Sequence, residues 1–327
     1  GGGRQSLGWA SPVREYAHPA HVDLQDFKGL GWLTGFNEWC VRCGVAFAGH
    51  PAEEEEGGHL LTLHGRIGNI PASEVEVVVD AEAPHRIRVR GRVDEAMFKF
   101  CDFELWTEVS TLPGSDEITI SDRLINRSAY AREYQLIYHT NFGPPLLEEG
   151  ARLVAPVATV MPFNAFAASE MVAADWQAYR GPTPNYGETV YNLTHHSHPA
   201  AASPPPASKW PFASPSTLVA LCNRAGDSGV SLRYSTDTLP AFALWKNTDL
   251  MEEGYVTGLE PATGFPYPRA IERAAGRVPS LAPGGEVRFD LVWSVLRDRA
   301  AVDAARAEIS QIAAGRSARQ VDRPAGR

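Results

Sequence analysis

One carboxylate and two histidines stand at positions where side chains could move protons. Glu260 is the only acidic residue in the stretch GYVTGLEPATGFP, residues 254–266, where Gly, Pro and small or apolar residues surround it. His64 in LTLHGRIGN and His139 in LIYHTNFGPP each follow an apolar strand pattern that ends at Gly or Pro. A carboxylate and an imidazole can act as general base and general acid. The alternative is structural: a Glu before Pro at a strand end, and two histidines held in the core.

A second group of histidines raises the question of a metal site. His195, His196 and His198 lie together in THHSHP, and imidazole is the commonest metal ligand in proteins. No Cys, Asp or Glu nearby completes a ligand set, so we expect no metal and no other cofactor. A zinc-dependent isomerase that uses these histidines stays open as an alternative.

Charge and composition narrow the class of partner. The 327 residues include 44% hydrophobic residues and carry a formal net charge of -9, which is typical of a globular protein with little attraction for nucleic acid or anionic membranes. No apolar run reaches the length of a membrane span and no leader is visible. Four cysteines, with Cys40 and Cys43 on opposite faces of a predicted strand, indicate a reduced, cytoplasmic protein. The chain begins GGGRQ without Met, which we interpret as a truncated N-terminus.

The positions of the candidate residues depend on a predicted all-β scaffold. Alternating apolar and polar residues recur from about residue 59 to 297, bounded by Gly, Pro, Asp or Asn. A dozen or more antiparallel strands are too many for one open sheet, so we expect two packed sheets. One hairpin is predicted in detail, because Glu74 and Glu76 can pair across strands with the arginines of HRIRVRGRV.

The chain is predicted to form one domain over residues 1–315. Val302, Ala305, Ile309 and Ile312 recur at helical spacing before Gly315, which predicts a single C-terminal helix. We expect a disordered tail over residues 316–327. The stretch HPAAASPPPASKWPF, residues 198–212, is predicted to be a long surface loop.

Three segments together resemble a known family. HGRIGNIPA, YHTNFGPPLLEEGARLVAP and LWKNTDLMEEGYVTGLEPATGFPYPR are similar to the aldose 1-epimerase (galactose mutarotase-like) superfamily, in its poorly characterised, domain-of-unknown-function branch. The likeness extends over residues 24–297. It implies an antiparallel galactose mutarotase-like β-supersandwich with a sugar cleft. It also implies that Glu260 takes the proton of the anomeric hydroxyl, that His139 donates a proton to the ring oxygen, and that His64 binds near the anomeric centre. Asp249 matches an acidic residue that holds sugar hydroxyls.

Other side chains near these motifs suit sugar binding. Cationic and amide groups hydrogen bond to hydroxyls, and an aromatic face covers the apolar side of a sugar ring. These expected sugar-binding residues are Arg66, Asn141, Trp245 and Lys246.

The expected function is cofactor-independent, aldose 1-epimerase-like interconversion of the anomers of a free or modified monosaccharide. Arg66, with Arg269 and Arg273, could instead accept a phosphate or carboxylate on the sugar. The second hypothesis is a carbohydrate-binding or sensory module that has the cleft and no turnover.

Overall fold

The computed structural model describes residues 7–14, 16–54, 57–198 and 215–323. The strands in chain order are β1 (Cys40–Val45), β2 (Ala52–Glu53), β3 (Leu60–Leu61), β4 (Glu74–Val79), β5 (Ile87–Met97), β6 (Cys101–Thr111), β7 (Glu117–Asn126), β8 (Arg132–Glu133), β9 (Gln135–Phe142), β10 (Arg152–Val154), β11 (Val157–Pro162), β12 (Thr189–His195), β13 (Ser216–Cys222), β14 (Gly229–Ser235), β15 (Ala241–Asn247), β16 (Val256–Ala262), β17 (Ser280–Leu281), β18 (Glu286–Leu296) and β19 (Arg319–Gln320). The α-helical segments are α1 (Asp26–Gly29), α2 (Ala165–Ala173), α3 (Arg269–Ala274) and α4 (Arg299–Ala313), and 3₁₀ turns lie at Pro19–His21, Gly31–Gly35, Ile67–Asn69 and Met251–Glu253.

Two large sheets form the sandwich. The seven-stranded sheet has the order β1-β9-β16-β15-β12-β11-β19, and the eight-stranded sheet has the order β10-β13-β14-β18-β7-β6-β5-β4. The all-β, two-sheet prediction is confirmed. So is the predicted hairpin, in which Glu74 pairs with Arg92 and Glu76 with Arg90.

The core between the sheets follows from the alternation along each strand. On β9, Leu136, Tyr138 and Phe142 point into the inter-sheet core, where they meet residues such as Leu124 and Phe289 of the eight-stranded sheet. Every residue of β9 and β16 is buried. Both faces of the seven-stranded sheet are therefore covered at its centre, and the face that points away from the other sheet is called the outer face below.

The N-terminal segment covers the outer face. Trp32 and Phe36 pack there against Val41, Ile137 and Ala262, in a cluster separate from the inter-sheet core. Trp9 joins the cluster and donates its indole N–H to the backbone oxygen of Glu38 at 2.9 Å. Polar side chains on the outer face are therefore surrounded by apolar ones.

The predicted C-terminal helix is present as α4, and its four predicted contact residues are buried against the exterior of the eight-stranded sheet. Three α-helical segments were missed: the short α1, α2, which Asn164 caps by accepting from the amide of Ala167, and α3. Within the predicted disordered tail, residues 319–320 form β19, which pairs in parallel with β11. Residues 324–327 lie outside the described part of the chain, as do residues 199–212 of the predicted surface loop.

Candidate active site

Strand register brings Glu260 and His139 together on the outer face. Strand β16 pairs with β9 through Leu259 and Thr140 on one side of Glu260 and through Ala262 and Ile137 on the other. Because side chains alternate along a strand, Glu260 and His139 share a face. His139 Nε2 lies 3.3 Å from Glu260 Oε1, and both side chains are almost fully buried.

A glycine two residues before Glu260 makes room for its carboxyl group. A Cβ on Gly258 would lie 2.3 Å from Glu260 Oε1 and 3.2 Å from His139 Cε1. The carboxyl group therefore folds back over the bare backbone of Gly258 to meet the imidazole. The Gly-Leu-Glu sequence is a steric requirement of this arrangement.

His64 reaches the same place from a loop. Its φ of 61° and that of Gly65, 74°, both lie in the left-handed region, and a Cβ on Gly65 would lie 2.2 Å from the carbonyl oxygen of Phe47. This tight turn directs the His64 ring to within 5.5 Å of the His139 ring, centroid to centroid. The left-handed backbone conformation of this turn therefore accounts for the glycine that follows His64.

Aromatic rings pack around His139. The centroids of Phe36 and Trp245 lie 5.3 and 5.5 Å from that of His139. Trp32 stacks on Phe36 at 4.4 Å and meets His64 edge-on at 4.8 Å. Such flat apolar surfaces suit the C–H face of a sugar ring.

Burial controls the protonation of the pair. It raises the pKa of Glu260 well above its usual value, with a further contribution from the charge of Glu188. Burial lowers the pKa of His139 to about 4, against a smaller opposing effect of the Asn141 side chain. A buried carboxylate and a buried imidazolium are both disfavoured, so burial favours one shared proton, held by Glu260 beside a neutral His139.

Several buried polar atoms without hydrogen-bond partners lie on this face. Among the described residues, five that project from or lie over the outer face carry such atoms: His64 (Nδ1), His139 (Nδ1), Asn141 (Oδ1), Asn192 (Nδ2 and Oδ1) and Glu260 (Oε1). Buried polar groups are nearly always paired, so such a cluster marks a place where a polar ligand supplies the partners.

Asn192 was missed by sequence reasoning. It lies on β12 in one cross-strand row with Ala243 and Glu260, two strands from the carboxylate, and is fully buried. The alternation of side chains along β12 could have identified it. Asn192 is a polar residue in the largely buried stretch TVYNL, and its side chain points to the outer face.

Glu188 was also missed. It directly precedes β12, keeps contact with solvent, and accepts a hydrogen bond from Trp245. Desolvation by the surrounding residues raises the pKa of Glu188 against a smaller opposing effect of the hydrogen bond from Trp245, and the charge of Glu188 acts on Glu260. A second carboxylate, exposed to solvent, therefore lies close enough to act on Glu260.

Lys246 does not belong to this site, which corrects its prediction as a sugar-binding residue beside Trp245. Neighbours on a strand point to opposite faces, and Lys246 points into the sandwich. There it is 5% exposed, its ammonium donates to the backbone oxygens of Trp176 and Ala178, and it lies 4.2 Å from the centroid of Tyr179. Burial lowers its pKa to about 7.

Two further predicted residues have other partners. Asp249 Oδ1 accepts from the backbone amides of Asn185 and Leu250, so it stabilises a turn after β15. Arg66 acts electrostatically on Glu95 and Cys101, which belong to β5 and β6 of the other sheet. Neither residue contacts the His139–Glu260 pair in the structure. Asn141 does lie at the site, where its Nδ2 donates to the backbone oxygen of Glu38 at 3.0 Å.

The alternative anion and metal sites involve residues that contact other protein groups. Arg269 and Arg273 both pair with Glu133. His195 Nδ1 bonds the hydroxyl of Tyr234 at 2.6 Å in the inter-sheet core, away from the outer face. Within the described residues, no group of three or more His, Cys, Asp or Glu could hold a metal ion.

The helices in the described part of the chain are all too short or too polar to span a membrane.

Known proteins with this architecture include one close relative in sequence. A protein from Klebsiella pneumoniae, described as a “putative aldose 1-epimerase”, is 42% identical, with a TM-score of 0.91 over 99% of this chain and 80% of that chain. A galactose mutarotase-like protein from Clostridium acetobutylicum shares the fold alone, at 10% identity and a TM-score of 0.51 over 78% of each chain. No curated protein matches the sequence.

A family profile covers most of the chain. The profile described as “Domain of unknown function (DUF4432)” matches residues 2–295. The protein, which has the galactose mutarotase-like fold, therefore belongs to the DUF4432 family.

Proposed function

We propose that the protein is an aldose 1-epimerase, which interconverts the α and β anomers of a monosaccharide by opening and closing its ring. The observation that carries this proposal is the contact between Glu260 and His139 amid a cluster of buried polar atoms without partners. A sugar hydroxyl both donates and accepts hydrogen bonds, so a polyhydroxylated ring can satisfy amide, imidazole and carboxyl atoms together.

The reaction needs one base and one acid. With the shared proton on His139, Glu260 removes the proton of the anomeric hydroxyl while the imidazolium protonates the ring oxygen. The bond from the anomeric carbon to the ring oxygen breaks, and the anomeric oxygen becomes a carbonyl. Glu260 is then protonated and His139 neutral, the state that burial favours. Rotation about the C1–C2 bond and reversal of both transfers give the other anomer.

The remaining site residues would position the sugar. Asn141 and Asn192 offer amide atoms for hydroxyls on either side of the reacting pair, and His64 offers its Nδ1. Trp245 presents a ring beside His139. Hydrogen bonds from hydroxyls to Glu260 would favour its ionised form and so prepare it as the base.

The test is a panel of freshly dissolved aldoses followed by polarimetry. The expected result is accelerated approach to anomeric equilibrium for at least one sugar, lost in Glu260→Gln and in His139→Gln. Each proton transfer is worth about 10²–10⁴-fold, so either variant should come close to the buffer rate. Saturation-transfer NMR that detects binding, with no acceleration of any sugar, would contradict catalysis and favour the carbohydrate-binding module.

A further inference from the structure

Glu188 supplies negative charge near the proposed sugar site that the reacting pair does not neutralise. Glu260 and His139 hold one proton between them and carry no net charge, whereas the charge of Glu188 acts on Glu260. Glu38 is a third carboxylate close enough to act on Cys43, which shares the outer face with His139. The histidines at the site do not offset this charge, because burial lowers the pKa of both His64 and His139.

Positive side chains are directed elsewhere. Among the described residues, no Lys or Arg is one of the charges that shift the pKa of Glu188, Glu260 or His139. Lys246 points into the sandwich, and Arg269 bonds to Ala46 and Glu133. An anionic group on a bound sugar would therefore meet carboxylates without a compensating cation.

The geometry of Glu188 allows it to contact a ligand. Its side chain keeps contact with solvent, while the hydrogen bond from Trp245 fixes it beside the ring that lies 5.5 Å from His139. A sugar resting on Trp245 would place one of its substituents next to this carboxylate. Glu188 has no ion-pair partner among the described residues, so its charge is available to that substituent.

We propose that Glu188 makes the site selective for the charge of the sugar, so that an amino sugar in its ammonium form is preferred to its neutral parent and phosphorylated or carboxylated sugars are rejected. This inference rests on the proposed function, because it assigns a substrate class to the same site. Two unit charges about 6 Å apart at a protein surface interact strongly enough to change kcat/KM by about 3- to 100-fold.

The experiment compares four forms of one aldose in exchange NMR at about pH 6.5, where an amine is protonated. They are the neutral sugar, its 2-amino derivative, its uronic acid and its 6-phosphate. The expected order of kcat/KM is amino, then neutral, then the two anions. Glu188→Gln should reduce the differences to about twofold or less, and high salt should weaken them in the wild type. Glu252→Gln, the same charge change at an exposed residue of the 3₁₀ turn after β15, should leave the order unchanged.

Failure of the proposed function is separable from failure of this inference. Dissociation constants of the same four sugars, from quenching of Trp fluorescence, report charge preference without turnover. If no sugar is interconverted but binding follows the expected order and depends on Glu188, the enzyme proposal fails and the charge inference stands. Equal or tighter binding of the anionic sugars, absence of any binding, or an order unaffected by Glu188→Gln would overturn the inference.

Discussion

Replacing Gly258 by Ala should disable the site without unfolding the protein. The added Cβ would lie 2.3 Å from Glu260 Oε1, where an ordinary contact needs about 3.4 Å, so the carboxyl group must move by about 1 Å. Misplacement by about 1 Å at a reacting group costs about 10²-fold in rate. We therefore expect kcat/KM for anomer exchange to fall about 100-fold, while the strand keeps its register.

Matched variants isolate this steric effect. Gly91→Ala on β5 is the control, because its Cβ would have its nearest neighbour at 3.6 Å, an ordinary contact. It should leave exchange unchanged. In a Glu260→Gln background, Gly258→Ala should cost little more, since the group it displaces no longer acts as a base. The assay is exchange NMR with circular dichroism as the check on folding. A folded Gly258→Ala variant with wild-type kcat/KM would refute the assigned role of the carboxyl position.

Three further predictions concern stability as well as activity. Asn192→Leu removes two buried atoms that lack partners. It should therefore raise the free energy of unfolding by about 1–2 kcal/mol and weaken sugar binding at least about tenfold. Asn126 is the contrasting case, because its side-chain amide donates to three backbone carbonyl oxygens, so Asn126→Leu should destabilise the protein. Because the pKa of Glu260 is raised in the folded state, this group contributes stability below the unfolded value of 4.5 and loses it as pH rises. Glu260→Gln should thus raise the melting temperature at about pH 8, by a margin that vanishes towards about pH 4.5. Asp122→Ala should cost about 3–5 kcal/mol in urea titrations, because it leaves Arg42 unpaired behind the site.

The fold could be predicted from sequence because each strand carries its own signal. Alternation over HRIRVRGRV and the glutamates of EVEVVVD defined β4 and β5 and their pairing. The helix α4 was equally clear from its spacing. The helix α2 was missed because its apolar stretch AFAASEMVA has no amphipathic face to recognise, and β19 because two residues paired at a sheet edge leave no pattern.

The site was only partly predictable. The family resemblance and expected strand-end positions singled out Glu260 and His139. The strand-end expectation is wrong, because both residues lie inside strands β16 and β9, where the register places them in contact. Trp245 and Lys246 were grouped although adjacent strand residues cannot share a face, an error that alternation alone could have prevented. Asn192 required the cross-strand register, and Trp32 and Phe36 come from an N-terminal segment whose packing no local pattern indicates.

The most direct test of the central claim is exchange of magnetisation between the α and β anomeric protons of the sugar found in the polarimetric panel. Wild-type protein should give exchange cross-peaks well above the buffer rate. Glu260→Gln keeps the size of the side chain and removes the base, so it should lower the exchange rate at least about 10²-fold, towards the rate in buffer. A Glu260→Gln variant that exchanges the anomers within a few-fold of wild type would contradict the claim that this carboxylate takes the anomeric proton.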